Sequence, residues 1–286
     1  MKYDVGSLTI TSHLLRYIAK IIANIRFPFS KSSRNLFKDT FIKDTCGNII
    51  YKRVNKDSKE CYFDSNDIPI FIISFNNLTY LKNTISTLEK YKLKNIHVID
   101  NHSDYVPLLE YLNNLPYKVH MMDKNWGHRV LWDSHLFDDV IFNQMYVVTD
   151  PDLEFNPELP DTFLYHMYKI LLQFPNITKV GFAIRIDDLP KNELSDKIIK
   201  WEKKFWENPQ EDELYKLYRA NVDTTFALYR PGKIRRYNFY TGLRIAGSFC
   251  ARHLPWYGDS AEGDYYRKTA SSKSASWTKD SARYDS

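Results

Sequence analysis

The chain has 286 residues, 43% hydrophobic and 15% aromatic, which is enough apolar material for one large α/β domain or two small ones and excludes a disordered polymer. Lys and Arg outnumber Asp and Glu by 40 to 35, a net charge of +5. So mild and diffuse an excess suits anionic small ligands or an anionic membrane face, and with no RNA- or DNA-binding motif it excludes nucleic acid as a partner.

Residues 1–65 read as an N-terminal extension. Met1-Lys2-Tyr3-Asp4 does not open a secretory signal, and no run reaches the roughly 20 apolar residues of a spanning helix, so a cytoplasmic protein is expected. Leu14, Leu15, Ile18, Ile21, Ile22 and Ile25 share a helical face, with Arg16, Lys20 and Arg26 on the other side. Ser12 or Thr11 can cap its start and Pro28 follows its end. Two fates stay open: a helix lying on anionic lipid at the inner face of the membrane, or one docked on the protein body. Residues 29–65 read as a polar connection with short strands, such as Asn48-Ile49-Ile50-Tyr51. Cys46, Cys61 and Cys250 show neither metal-ligand nor disulfide spacing, which points to a reducing compartment.

From residue 66 the pattern sharpens. Ile68-Pro69-Ile70-Phe71-Ile72-Ile73 is a strand of the kind buried on both faces of a parallel sheet, and Ser74-Phe75-Asn76-Asn77 is its turn. Thr79 is placed to cap a helix whose Leu81, Ile85 and Leu88 point inward. Ile96–Ile99 is the next strand, ending at Asp100-Asn101-His102-Ser103; a helix over 105–114 follows, then strands over 117–121 and 145–149. Strands alternating with helices imply βαβ units, and the right-handed crossover sets successive strand ends on one rim. The fold class read here is α/β, a Rossmann-like, mainly parallel central sheet flanked by helices. Downstream lie a helix over 163–174, a strand over 179–186 ending at Asp187-Asp188, a charged helix over 194–206, a strand over 224–229 and the basic Lys233-Ile234-Arg235-Arg236. Residues 259–286, rich in Ser, Asp and Lys, read as an irregular tail.

Three loops therefore meet on the rim: 74–77, 100–103 and Asp150-Pro151-Asp152. Two carboxylates one residue apart after a buried strand suit Mg²⁺ or Mn²⁺ shared with substrate phosphates, because open α/β sheets hold ligands at their carboxyl edge. Asp-Pro-Asp is also plain turn chemistry.

The strand and turn 69–77, the strand end 98–103, the segment Asn125-Trp126-Gly127, Asp150-Pro151-Asp152 and the later His253 together resemble a GT-A fold glycosyltransferase of the family-2 type. The resemblance spans about 66–258, with a donor half over 66–152 and an acceptor half over 153–258. It implies a nucleoside diphosphate sugar donor, a UDP sugar being favoured, and a glycan or glycolipid acceptor in surface polysaccharide, lipopolysaccharide or capsule synthesis. It also implies Mn²⁺ or Mg²⁺, with Asp152 as the direct ligand, Asp150 meeting ribose or metal-bound water, and His253 adding a nitrogen. Ser74, Asn76, Asn77 and Asp100 would meet base and ribose, and Asn125, Gly127 and Arg129, or His128, the diphosphate. The stretch Val130-Leu131-Trp132-Asp133 departs from the family's usual small residues.

Inverting transfer needs a general base near the acceptor hydroxyl. Asp188 is the first choice, then Asp223 and Asp187; the late acidic pair of family-2 enzymes has no clean match. Trp256, Tyr257 and Trp201 offer rings for stacking on sugars or for the core. Two rivals remain. A sugar nucleotidyltransferase would share the sheet and the metal, but Ser74-Phe75-Asn76-Asn77 lacks that class's Gly-rich basic loop. An inactive nucleotide- or sugar-binding module is opposed by the intact Asp150 and Asp152.

Overall fold

The computed structural model describes residues 37–43, 49–55, 61–232, 241–258 and 260–270. The amphipathic segment 14–25, the basic segment 233–236 and residues beyond 270 lie outside that set. The chain divides into two units, Met1–Phe41 with Lys52–Tyr62, and Ile42–Tyr51 with Phe63–Ser286. A small sheet takes β1 (Phe37–Lys43), β2 (Ile49–Asn55) and β3 (Cys61–Asp64) in chain order.

The candidate site belongs to the larger unit, built on a mixed nine-stranded sheet. Its strands are β4 (Ile70–Ser74), β5 (Ile96–Asp100), β6 (Lys118–Met121), β7 (Tyr146–Thr149), β9 (Lys179–Phe182), β10 (Pro209–Gln210), β11 (Leu217–Asn221), β12 (Ala227–Tyr229) and β13 (Thr241–Ile245). Their spatial order is β10-β11-β13-β9-β12-β7-β4-β5-β6. Of these nine, β11 and β12 run against the other seven. A separate two-stranded ladder pairs β8 (Leu153–Phe155) with β14 (Ala251–His253).

The apolar run of β4 is buried at every position, and so is β5. Because strand side chains alternate, Ile70 and Ile72 feed one core while Phe71 and Ile73 feed the other. The first face is covered by α1 (Leu78–Lys90), α2 (Val106–Asn113) and α5 (Phe163–Gln173), through residues such as Leu81, Leu88, Leu108 and Met167. The second is covered by α3 (Val130–Asp133) and α4 (Asp138–Asn143) through Leu131, Trp132 and Ile141. The stretch Val130–Trp132, which departs from the small residues of the resembled family, is thus a buried lid on that face. Each buried Leu, Ile or Phe contributes roughly 1.5–3 kcal/mol, so neither face can be left bare.

The strand read over 224–229 is only Ala227–Tyr229 and the helix over 194–206 is Glu193–Lys203, and three further differences have a visible cause. Asn77, not Thr79, caps α1: its side chain accepts from the Tyr80 N–H at 3.4 Å. The strand read as 179–186 ends at Phe182, because the chain changes partner: Ala183 N–H still donates to Ile245 O, but Arg185 N–H donates to Ala251 O at 2.8 Å. Part of the supposed tail is regular, with α7 at Gly263–Thr269 following α6 (Glu193–Lys203) in the helix series.

Candidate functional site

The three loops do converge. Register places Ser74 beside Asp100, and Ile72 beside Thr149. Asp100 and Asp150 therefore end strands two spacings apart on one edge, about 10 Å. Asn101 N–H donates to Ser74 O at 2.8 Å, and Thr84 of α1 donates to Pro151 O at 2.5 Å.

Asp100 is fully buried; its Oδ2 accepts from Ser103 N–H at 2.9 Å, while Oδ1 has no hydrogen-bond partner among the described residues. Burial pushes its carboxyl above the usual range despite the Ser103 bonds. Ser74 Oγ, also buried, is likewise unpartnered among the described residues. Buried side-chain polar atoms are nearly always satisfied, so such neighbours on a sheet edge call for an explanation.

Asn76 has a different task. At φ 46° it turns the chain, and its amide donates to Asp104 (2.7 Å) and Thr269 (2.9 Å) while accepting from the N–H groups of Asp104 and Tyr105. It braces loops 74–77 and 100–105 and has no group to spare for a nucleobase. Asn77 is committed to its cap. Asn101, unassigned from sequence, holds the next loop: its Oδ1 accepts from Trp126 N–H (2.9 Å) and its Nδ2 donates to Gly127 O (3.0 Å). Gly127 takes φ 78°, for which glycine is suited, and its N–H donates to Asn125. Arg129, at the head of α3, pairs with Asp133 at 3.2 Å.

The acidic motif is set by two neighbours. Asp150 N–H donates to Thr224 O at 2.7 Å, and the Thr224 hydroxyl donates to the Asp150 carboxylate. That segment approaches closely because position 181 is glycine: a Cβ there would lie 2.5 Å from Val222 Cγ1 and 3.1 Å from Thr225 O. It also brings Asp223 to the acidic pair. Burial first, then the Asp152 and Asp223 charges, drive the Asp150 carboxyl upward against the Thr224 bond. The ladder of β8 and β14 places His253 opposite Leu153, so its Nε2 lies 3.3 Å from Asp152 Oδ2. Asp152 Oδ1 and His253 Nδ1 are buried and unpartnered among the described residues. No three His, Cys, Asp or Glu side chains among the described residues form a ready-made metal cage. Asp152 and His253 are therefore one carboxylate and one imidazole side by side, short of a full ligand set among the described residues.

Asp188 is occupied elsewhere. Its Oδ2 accepts from Arg252 at 2.6 and 2.8 Å, and its Oδ1 from the Tyr257 hydroxyl at 2.6 Å. Burial raises its carboxyl, but the Tyr257 and Arg252 bonds outweigh that and hold it below the usual range. A carboxylate so held is a poor proton acceptor, which reverses the order of candidates. Asp187 is an exposed partner of Arg185. Tyr257 is tied to Asp188, and Trp256 is buried against His253 at 4.8 Å between ring centroids, a core ring instead of a sugar platform. Trp201 sits on α6 with Phe205 and under the Lys204 ammonium, and α6 is anchored to β13 by Glu202 and Arg244.

No protein-family model matches the chain, and no curated protein matches it in sequence. Among solved structures it is similar to 4-diphosphocytidyl-2C-methyl-D-erythritol synthase from Anaerococcus prevotii DSM 20548, with a TM-score of 0.29 and 12% identity, over 58% of this chain and 72% of that one. So distant a likeness carries no functional argument. Among the described residues no helix is long and apolar enough to cross a membrane.

Proposed function

We propose that the chain is a metal-assisted transferase that takes a sugar from a nucleoside diphosphate donor, a UDP sugar by preference, and passes it to a glycan or glycolipid acceptor. One observation carries this reading: Ser74 Oγ, Asp100 Oδ1, Asp152 Oδ1 and His253 Nδ1 are buried and unpartnered among the described residues, all beside one sheet edge. A ligand lying along that edge would satisfy them. Ribose and base would meet Ser74 and Asp100, and the diphosphate would lie toward Asp150 and Asp152. Asp152 and His253 would hold Mn²⁺ or Mg²⁺, with Asp150 alongside; such an ion neutralises charge on a departing diphosphate. The acidic surroundings of Asp150 support a cation there, since after burial the Asp152 and Asp223 charges oppose its ionisation. Asp223 is the proposed base in place of Asp188, because it is free of arginine bonds among those described and adjoins the acidic pair.

A second reading, nucleotidyl transfer to make the activated sugar, draws on one feature. Arg129 and the buried Lys179 act electrostatically on groups around Asp223, and burial lowers the Lys179 amine to about 7. Cations near an acidic edge also suit charge developing on phosphorus. Products separate the two. With Mn²⁺ and UDP or GDP sugars, the full chain should release nucleoside diphosphate, and donor binding should raise its melting temperature only with metal, by about 2.7 kcal/mol of stability at a hundredfold Kd. Pyrophosphate released from a nucleoside triphosphate and a sugar 1-phosphate would identify the second reading. Neither product, and no shift, would refute both.

A further inference from the structure

The segment after His253 returns to the edge and is tied down at both ends of α7. The Tyr80 hydroxyl donates to Gly258 O at 3.1 Å. Glu262, only 5% exposed, accepts from both Thr79 N–H (2.6 Å) and the Thr79 hydroxyl (2.8 Å). A carboxylate at the first turn of α1 also meets the positive end of that helix. At the far end of α7, Thr269 Oγ1 accepts from Asn76 Nδ2 at 2.9 Å, while its own hydroxyl donates back to Tyr265 O at 3.0 Å. Between these ties Tyr265 lies 5.0 Å from Tyr105 and the Tyr266 ring meets Phe75 at 6.3 Å, centroid to centroid. From Asn76 the bonds continue inward. Asn76 N–H donates to Ser103 Oγ at 2.9 Å, and Ser103 N–H donates to Asp100 Oδ2 at 2.9 Å. An unbroken run of hydrogen bonds thus links α7 to the buried carboxylate whose Oδ1 has no partner among the described residues.

We propose that α7 is a positioning arm for the nucleotide site: Thr269, acting through Asn76 and Ser103, fixes where Asp100 presents its open oxygen to the donor's ribose or base, and Glu262 anchors the arm. This role rests on the nucleotide-donor reading above and brings to it a segment that reads as tail. Asn76 is the joint. It is fully buried and sits at φ 46°, a backbone region that residues with side chains visit seldom, Asn more readily than most. Its amide is used on both sides: Oδ1 accepts from Asp104 and Tyr105 N–H, and Nδ2 divides its two protons between Asp104 and Thr269. Without the Thr269 acceptor one buried N–H loses its partner, and the loop that carries Ser74 is no longer tied to the helix beside it. Thr269 and Glu262 therefore act on affinity without touching the ligand, by holding Asp100 and its loop in the binding geometry before the nucleotide arrives.

Calorimetric titration of the full chain with UDP, GDP and CDP, each with Mn²⁺, tests this, together with kinetics on the matching nucleotide sugar. Against the nucleotide that wild type binds, Thr269→Val removes the acceptor at nearly constant shape and should weaken affinity about three- to tenfold, the scale of one hydrogen bond. Donor KM should rise in step while kcat stays within about twofold of wild type, because Asp100 binds and does not react. Thr269→Ser keeps the hydroxyl and should restore the affinity. Glu262→Ala, which releases the anchor, should weaken binding at least as much as Thr269→Val. Wild-type affinity in Thr269→Val would overturn the proposal and leave the donor reading standing, and a lowered melting temperature with that unchanged affinity would show the contact to be structural only. An equal loss in Thr269→Ser would overturn it too, since packing of the side chain and not its hydroxyl would then matter. Absence of nucleotide binding by wild type would overturn both.

Discussion

The edge at β4, β5 and β7, with Asp152 and His253 beside it, and the cluster of Glu154, Arg185, Asp187, Asp188, Arg252 and Tyr257 both gather charged residues, yet they treat them in opposite ways. In the cluster, Arg252 is shared between Asp188 and Glu154, Arg185 between Asp187 and Asp188, and Tyr257 closes the remaining oxygen. At the edge, acceptors are buried and left open among the described residues, and carboxylates stand side by side. A satisfied network contributes stability and little else. An unsatisfied one costs about 1–3 kcal/mol for each buried group, which persists where a ligand recovers it. Charge density alone would have ranked the two regions equally; hydrogen-bond accounting separates them.

The largest effect should come from the edge. Asp152→Asn keeps shape and removes the charge that would bind the ion, so donor turnover should fall by about 1000-fold, in line with losing a major electrostatic contribution. Its melting temperature should hold or rise, because a crowded carboxylate is gone. Turnover within about threefold of wild type would place the chemistry elsewhere. The next comparison sets the two base candidates against each other. Asp223→Asn should cost about 100-fold or more in kcat, the scale of general-base catalysis. Asp188→Asn should leave kcat near wild type and cost about 1–2 kcal/mol in denaturant unfolding, because Arg252 and Tyr257 lose their charged acceptor. The reverse pattern would restore Asp188 as the base.

The parallel half of the sheet was readable because its cause is local. Ile70–Ile73 and Ile96–Ile99 are apolar without alternation, and only burial on both faces explains that. The strand ends at Asp100 and Asp150 followed from the crossover rule. What escaped was decided at long range. Nothing in Ala227-Leu228-Tyr229 announces that it inserts antiparallel between β7 and β9. The role of Thr224 depends on that insertion and on the missing side chain at Gly181. Glu262 and Tyr266 sit in a polar, Ser-rich stretch whose helix is held by contacts with residues more than 170 positions away. Asp188 ends one apolar segment and Asp223 precedes another, and nothing local to either announces the partners that folding supplies.

The two regions should also respond to acid in separate windows. Beneath the edge, His97 on β5 stacks on His120 of β6, with Nδ1 of one 3.1 Å from Nε2 of the other and Asn95 holding the far nitrogen of His97. Burial, then His120 and Lys118, lower His97 to about 4. An unfolded histidine titrates near 6.5, so between about pH 6.5 and 4 the unfolded chain binds more protons and stability falls as pH falls. The full displacement corresponds to about 3 kcal/mol; partial solvent access reduces the expected loss to about 2 kcal/mol. Asp188 works in the other window: its folded value is depressed, so its contribution is complete above the ordinary aspartate range and is lost only as pH falls below it. Denaturant unfolding at pH 7.5, 5 and 3.5 resolves the two. His97→Phe should flatten the decline between 7.5 and 5, since a phenyl ring keeps the packing against Phe71 and cannot be charged. Asp188→Asn should leave that decline intact and differ from wild type least at pH 3.5. A decline above pH 5 that survives His97→Phe would mean that the imidazole stack does not set the acid limit of this half of the sheet.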